Sequence, residues 1–222
     1  MAVHLAALRP GILCGADARR ATTRIPGTKE LLYLHPSGFI PERSRAIACG
    51  LDPERDNFFV RVVAWRANHD IGKAGWSRET LSAVVAQLGA IGRVHLSSER
   101  PLPEEFERLR YRGPISGVHH LIAHCRLLVG ESATMATEAA ILGVPAIYCG
   151  HDFPGYVREL GREGMLRTIR PDEIGSLPEA INAGLSTPIT AARDRYVADR
   201  PDWAEAVVAA LDASVCDSQS RL

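Results

Sequence analysis

The sequence predicts an α/β fold: a Rossmann-like parallel sheet with helices on both faces. Two observations predict it. From Phe58 onward, short apolar runs of strand length alternate with helical patterns bounded by cap and stop residues. Strands separated in sequence by a helix cannot pair as hairpins, so they form βαβ units with right-handed crossovers. A chain of 222 residues, 46% of them hydrophobic, is long enough for one substantial core.

The elements follow in order. "FFVRVVAW" (58–65) reads as the first strand. "SRETLSAVVAQLG" (77–89) reads as a helix, with Ser77 as its N-cap and Gly89 as its stop. "RVHLSS" (93–98) is the second strand, and a short helical piece surrounds "PEEFERL". "VHHLIAHC" (118–125) is a helix, "RLLVG" (126–130) a strand, "TMATEAAILG" a helix and "PAIYC" (145–149) a strand. "GYVRELGREG" and "MLRTI" add one more helix and strand, and the chain from "SLPEAINAGL" onward is helical with proline breaks.

Residues 1–57 follow another pattern. Pro10, Pro26, Pro36 and Pro41 punctuate them, and only "ELLYLHP" suggests a strand. The expected organisation is a linker or arm over 1–57, a nucleotide-binding domain over 58–213 and a disordered tail over 214–222 ending in "DSQSRL".

Composition narrows the function. Lysine plus arginine and aspartate plus glutamate stand at 26 each, so nothing in the total charge favours nucleic acid. The five cysteines lack any C-x-x-C pair, and Cys125 and Cys149 sit in apolar surroundings as core residues of a reducing compartment. The first residues lack a basic leading region, and no later run is long enough to span a membrane, so the expected location is the cytoplasm. Neither G-x-G-x-x-G nor G-x-x-x-x-G-K-[ST] occurs, which argues against a nicotinamide dehydrogenase and a P-loop NTPase.

The stretch "LLVGESATMATEAAILGVP" (127–145) carries the chemistry. In an open parallel sheet, ligands bind where strand ends meet helix N-termini. The first N–H groups of a helix have no intrahelical partner, and the dipole adds partial positive charge. Gly130, Ser132, Ala133 and Thr134 are small enough for a phosphate to approach. Glu138, one turn inward from Thr134, is placed to accept from ribose hydroxyls. The pattern therefore reads either as a nucleotide diphosphate site or as plain helix capping by Ser132 or Thr134.

Other polar residues carry two readings each. His69 is placed to contact a diphosphate or act as acid/base, or to be a loop histidine held by Asp70. Glu99 touches a sugar or pairs with its neighbour Arg100. His120 and His124 share a helix face, but no third ligand stands at metal spacing, so no metal site is expected. Those two read as helix-packing residues, with His119 nearer the ligand. Trp65, Trp76 and Trp203 read as packing residues.

"GESATMATEAAILGVPAI" resembles the segment shared by non-hydrolysing UDP-N-acetylglucosamine 2-epimerases and related GT-B proteins. Together with "GTKELLYLHP", "ANHDIGKAG", "LSSERPLP" and "VHHLIAHCRLLVG", it resembles an uncharacterised prokaryotic family, domain of unknown function 354, over most of residues 25–170. The resemblance implies the C-terminal domain of a GT-B fold and a UDP-sugar ligand with no cofactor. It implies diphosphate binding by Ser132, Ala133 and Thr134, ribose binding by Glu138, and uracil recognition through the backbone of Ile115. Ala133 and Thr134 depart from the two glycines usual in the epimerases. It further implies that catalytic carboxylates sit on a preceding Rossmann domain, from a partner chain or a homodimer. Transferase, epimerase and non-catalytic binding module or split subunit all remain open at this point.

Overall fold

The computed structural model describes residues 26–64, 75–205, 207 and 208. Helices α1 (Leu31–Leu34) and α2 (Arg43–Ala48) precede strand β1 (Asp56–Val62). Helix α3 (Arg78–Gly89), strand β2 (Gly92–Ser98), helix α4 (Glu104–Glu107) and helix α5 (Val118–Ile122) follow. Then come β3 (Leu127–Gly130), α6 (Ala133–Ile141), β4 (Ala146–Cys149), α7 (Gly155–Arg162) and β5 (Leu166–Ile169). Helices α8 (Leu177–Ser186) and α9 (Thr190–Ala198) close the described fold.

The five strands form one sheet in the order β2-β1-β3-β4-β5, and all four strand pairs are parallel. The α/β reading is thus the observed architecture. Side chains alternate across the sheet, and each face has its own core. Phe58, Val60, Val129 and Ile147 pack with α3 and α8 on one face. Phe59, Leu128, Ala146 and Tyr148 pack with α1, α6, α7 and α9 on the other.

Caps set the helix limits as the sequence implies. The Ser77 side chain accepts from the Thr80 N–H at 3.1 Å and starts α3. Gly143 follows α6 with φ +84°, a left-handed conformation that ends the helix and turns the chain into β4. Cys125 and Cys149 are core residues, and burial pushes both thiols above their ordinary range.

The stretch before Phe58 departs from the sequence reading. Leu31, Leu34, Ala46, Cys49 and Leu51 are buried in the main core, so residues 26–57 are a packed part of the domain and no loose linker. "LLYL" is one helical turn, where a strand was expected. The apolar residues Leu31 and Leu34 lie three apart, which matches a helical face and was masked by the surrounding prolines. Trp203, also fully buried, donates from Nε1 to the Pro26 carbonyl at 2.8 Å and ties the stretch after α9 to this segment. The expected tail at 214–222 and residues 1–25 lie outside the described residues.

Candidate functional site

The β3–α6 junction lies at the carboxyl end of the parallel sheet. Gly130 ends β3 where any Cβ would run into the Arg61 backbone of β1, so only glycine lets the two strands meet there. The next residues turn into α6. Ser132 is its N-cap, and Oγ accepts from the Met135 N–H at 3.3 Å. The first intrahelical bond runs from Ala136 N to Ser132 O at 3.0 Å. This leaves the N–H groups of Ala133 and Thr134 with no intrahelical partner, at the positive end of the dipole. Capping therefore operates, and it uses only one of the helix's free donors.

Glu138 lies one turn further along α6, almost wholly buried. Its Oε1 accepts from Tyr33 Oη at 2.8 Å, and His119 Nε2 stands 3.2 Å away. No described residue bonds its Oε2. Burial and the Glu138 charge together raise the Tyr33 hydroxyl well above its usual range, so it stays a donor. Tyr156 of α7 reaches Thr134, and Lys29 Nζ lies 5.4 Å from the Tyr156 ring centroid. Burial of Lys29 works against its charge, but the Glu30 carboxylate, 2.7 Å away, outweighs it and raises its pKa. The junction thus gathers free backbone donors, the buried Glu138, and the Lys29 ammonium paired with the fully buried Glu30. Lys29, Tyr33 and Tyr156 are additions that sequence reasoning did not assign. Lys29 and Tyr33 fall within "GTKELLYLHP", the signal that was present.

Ile115 starts a 3-10 turn (Ile115–Gly117) that leads into α5, and its side chain is 90% exposed. Four residues on, His119 contacts Glu138, so the loop and the junction share one face of the molecule. His120 is buried and accepts from the Glu42 N–H through Nδ1 at 3.0 Å, while His124 Nδ1 lies 2.8 Å from the His120 carbonyl. Both are held in packing, and no group of metal ligands is found among the described residues. His69 and Asp70 lie outside the described residues.

Glu99 pairs with Arg61, and the expected Arg100 contact is absent. Arg61 is directed by Ser97 (2.7 Å), and Glu99 Oε2 also accepts from the Ala64 N–H at 3.2 Å. Arg100 instead donates to the Trp76 carbonyl at 2.7 Å. Parallel pairing sets Arg61 of β1 opposite Ser97, which sequence spacing alone does not reveal.

The residue most clearly missed is Glu131. It is 3% exposed and accepts from two backbone groups, Trp76 N at 2.6 Å and Val63 N at 3.1 Å. Beside it lies a cavity of about 240 Å³ lined by Trp76, Ser77, Thr80, Glu131, Cys149 and Gly150. An acid directly after a buried strand, in "LLVGES", was the available signal.

No protein-family model matches the chain, and no curated protein is significantly similar in sequence. Solved structures do match. Spinosyn rhamnosyltransferase SpnG complexed with spinosyn aglycone aligns with TM-score 0.53 and 17% identity over 86% of this chain and 57% of its own. The same enzyme complexed with thymidine diphosphate gives TM-score 0.52 and 16% identity over 88% and 53%. The E. coli ADP-heptose LPS heptosyltransferase II gives TM-score 0.50 and 19% identity over 67% and 53%. The chain spans 53% to 57% of the length of these three structures. At such identities the likeness is one of fold: this chain has the α/β domain architecture of GT-B glycosyltransferases.

Proposed function

We propose that the chain is the nucleotide-sugar-binding half of a GT-B-type glycosyltransferase or sugar epimerase, with a UDP-sugar as ligand. One observation carries this reading. A small-residue junction at the carboxyl end of β3 presents the unpartnered N–H groups of Ala133 and Thr134, with the buried Glu138 one turn deeper. A diphosphate on that helix end and a ribose hydroxyl at Glu138 satisfy both features at once. Lys29, paired with Glu30, stands over the ring of Tyr156 beside this junction. Thymidine diphosphate in one neighbour of this fold is in keeping with a nucleoside diphosphate here.

In this reading the helix end stabilises the departing diphosphate electrostatically, with no metal required. Ile115 offers its backbone to uracil and His119 orients Glu138. His69, as acid/base or diphosphate contact, and Glu99, at the sugar, remain the proposed catalytic residues, and the cytoplasm the proposed location. No helix among the described residues is long and apolar enough to cross a membrane. A second reading is a nucleotide-binding module that acts with a separate domain or a second copy.

Calorimetric titration with UDP, UDP-N-acetylglucosamine, GDP and NAD tests the proposal. Uridine ligands should bind and NAD should not. Absence of uridine binding at millimolar concentration, with and without an added GT-B N-terminal domain, would overturn it.

A further inference from the structure

A wide cavity lies at the opposite end of the sheet from the α6 junction. It encloses about 900 Å³ beside the first half of β2, the edge strand. Five arginines line it: Arg55, Arg93, Arg108, Arg110 and Arg112. No carboxylate is among its lining residues. Glu107, just outside, pairs with Arg110 at 2.6 Å and lies 4.0 Å from Arg112. Arg55, Arg93 and Arg108 make no ion pair or side-chain hydrogen bond among the described residues. In a chain whose formal net charge is zero, this clustering does not reflect a general basic excess.

The floor of the cavity is polar and acceptor-bearing. His95 of β2 lines it, is 4% exposed, and places Nε2 2.9 Å from Asn57 Oδ1. The Asn57 amide nitrogen is already committed to the Asp52 and Arg55 carbonyls, so the oxygen faces His95 and the imidazole donates to it. Nδ1 is then an acceptor. The edge backbone contributes too. Leu96 turns its N–H and C=O outward to Leu109 and Tyr111, both at 2.8 Å. The two-residue alternation of a strand turns those of Val94 to the same side, where the cavity opens.

We infer that this groove binds a small ligand carrying at least two phosphate groups and a hydroxyl-bearing body, of the class of a sugar bisphosphate. The guanidinium fork matches phosphate oxygens in pairs, and unpaired arginines converging on one groove repel each other until an anion enters. The volume suits a ligand of that size. His95 and the Val94 carbonyl serve the hydroxyls. The site is distinct from the α6 junction and does not depend on the nucleotide-sugar reading.

The test uses the whole chain with inorganic pyrophosphate and fructose 1,6-bisphosphate in calorimetric titrations. Because pyrophosphate can also occupy the α6 helix end, each titration is repeated on Thr134→Glu, which blocks that end. Fructose 1,6-bisphosphate should bind Thr134→Glu as it binds the unaltered chain, and pyrophosphate should keep its groove site in that variant. The double variant Arg93→Glu/Arg108→Glu, on two exposed side chains, should weaken both by roughly tenfold or more. Its unchanged melting temperature would establish that folding is intact. Circumstances that overturn the inference are no binding to the unaltered chain at millimolar probe, or loss of binding in Thr134→Glu alone. A short oligothymidylate that binds the groove more tightly than either probe also overturns it, in favour of a nucleic-acid surface.

Discussion

Two buried carboxylates stand seven residues apart at one strand–helix junction, and they are held in opposite ways. Glu131 accepts from two backbone N–H groups, of Val63 and Trp76, on either side of the stretch that follows β1. Glu138 accepts from one side chain, the Tyr33 hydroxyl, has His119 Nε2 3.2 Å from the same oxygen, and keeps Oε2 without a described partner. Backbone donors cannot turn away without moving the chain. Side-chain donors rotate, and a ligand hydroxyl can take their place. Burial alone therefore does not distinguish the two acids; the nature of their donors does.

The largest expected effect breaks the structural half of this contrast. Glu131→Ala strands one buried and one partly buried backbone donor and should lower unfolding free energy by about 3 kcal/mol, read as a shift in urea midpoint. Glu138→Ala should lower it by less than about 1 kcal/mol, because Tyr33 is half-exposed and can turn to water. Equal losses for the two variants would erase the distinction.

The binding half is tested next. Thr134→Glu sets a carboxylate against the proposed diphosphate and should abolish UDP binding without moving the melting temperature, since an acid is tolerated in a helix's first turn. Glu138→Ala should weaken UDP by roughly ten- to hundredfold, the cost of about 1.5–3 kcal/mol for hydrogen bonds to a charged acceptor. Ser132→Ala should instead act on stability, by about 1 kcal/mol, because its oxygen caps Met135. A Ser132→Ala variant that loses UDP at unchanged stability would reverse the assignment of cap and ligand.

How far the sequence reveals this pair follows from which contacts are local. The β3–α6 junction was legible because its signals lie within one run: an apolar strand, small residues, a cap and an acid one turn on. The parallel sheet was legible because strand and helix periods alternate along the chain. The partners of Glu138 were not, since Tyr33 lies 105 residues away and arrives on a turn that prolines disguise. The backbone ties of Glu131 and the Arg61 pairing of Glu99 arise only when β1 and its neighbours register. The arginine groove was hidden by a neutral total, which carries no information about where charges gather.

The smallest expected effect concerns Tyr33 and decides by which route Glu138 would take the proposed ribose hydroxyl. Tyr33 and His119 both address Oε1, so a ribose hydroxyl has two routes. It displaces Tyr33 from Oε1, or it uses the free Oε2 and leaves Tyr33 in place. Under displacement, the Tyr33 bond is a cost that each binding event must overcome. Removing it with Tyr33→Phe should then tighten UDP by about two- to tenfold, the equivalent of a hydrogen bond of about 0.5–1.5 kcal/mol. Under the second route Tyr33 steadies the carboxylate, and the same variant should leave affinity unchanged or weaken it. The ring persists in both cases and the fold should hold, so calorimetry on this one variant separates the routes. Displacement is the expected result, because the rotatable phenol lies at a half-exposed position and water readily takes over its hydrogen bond.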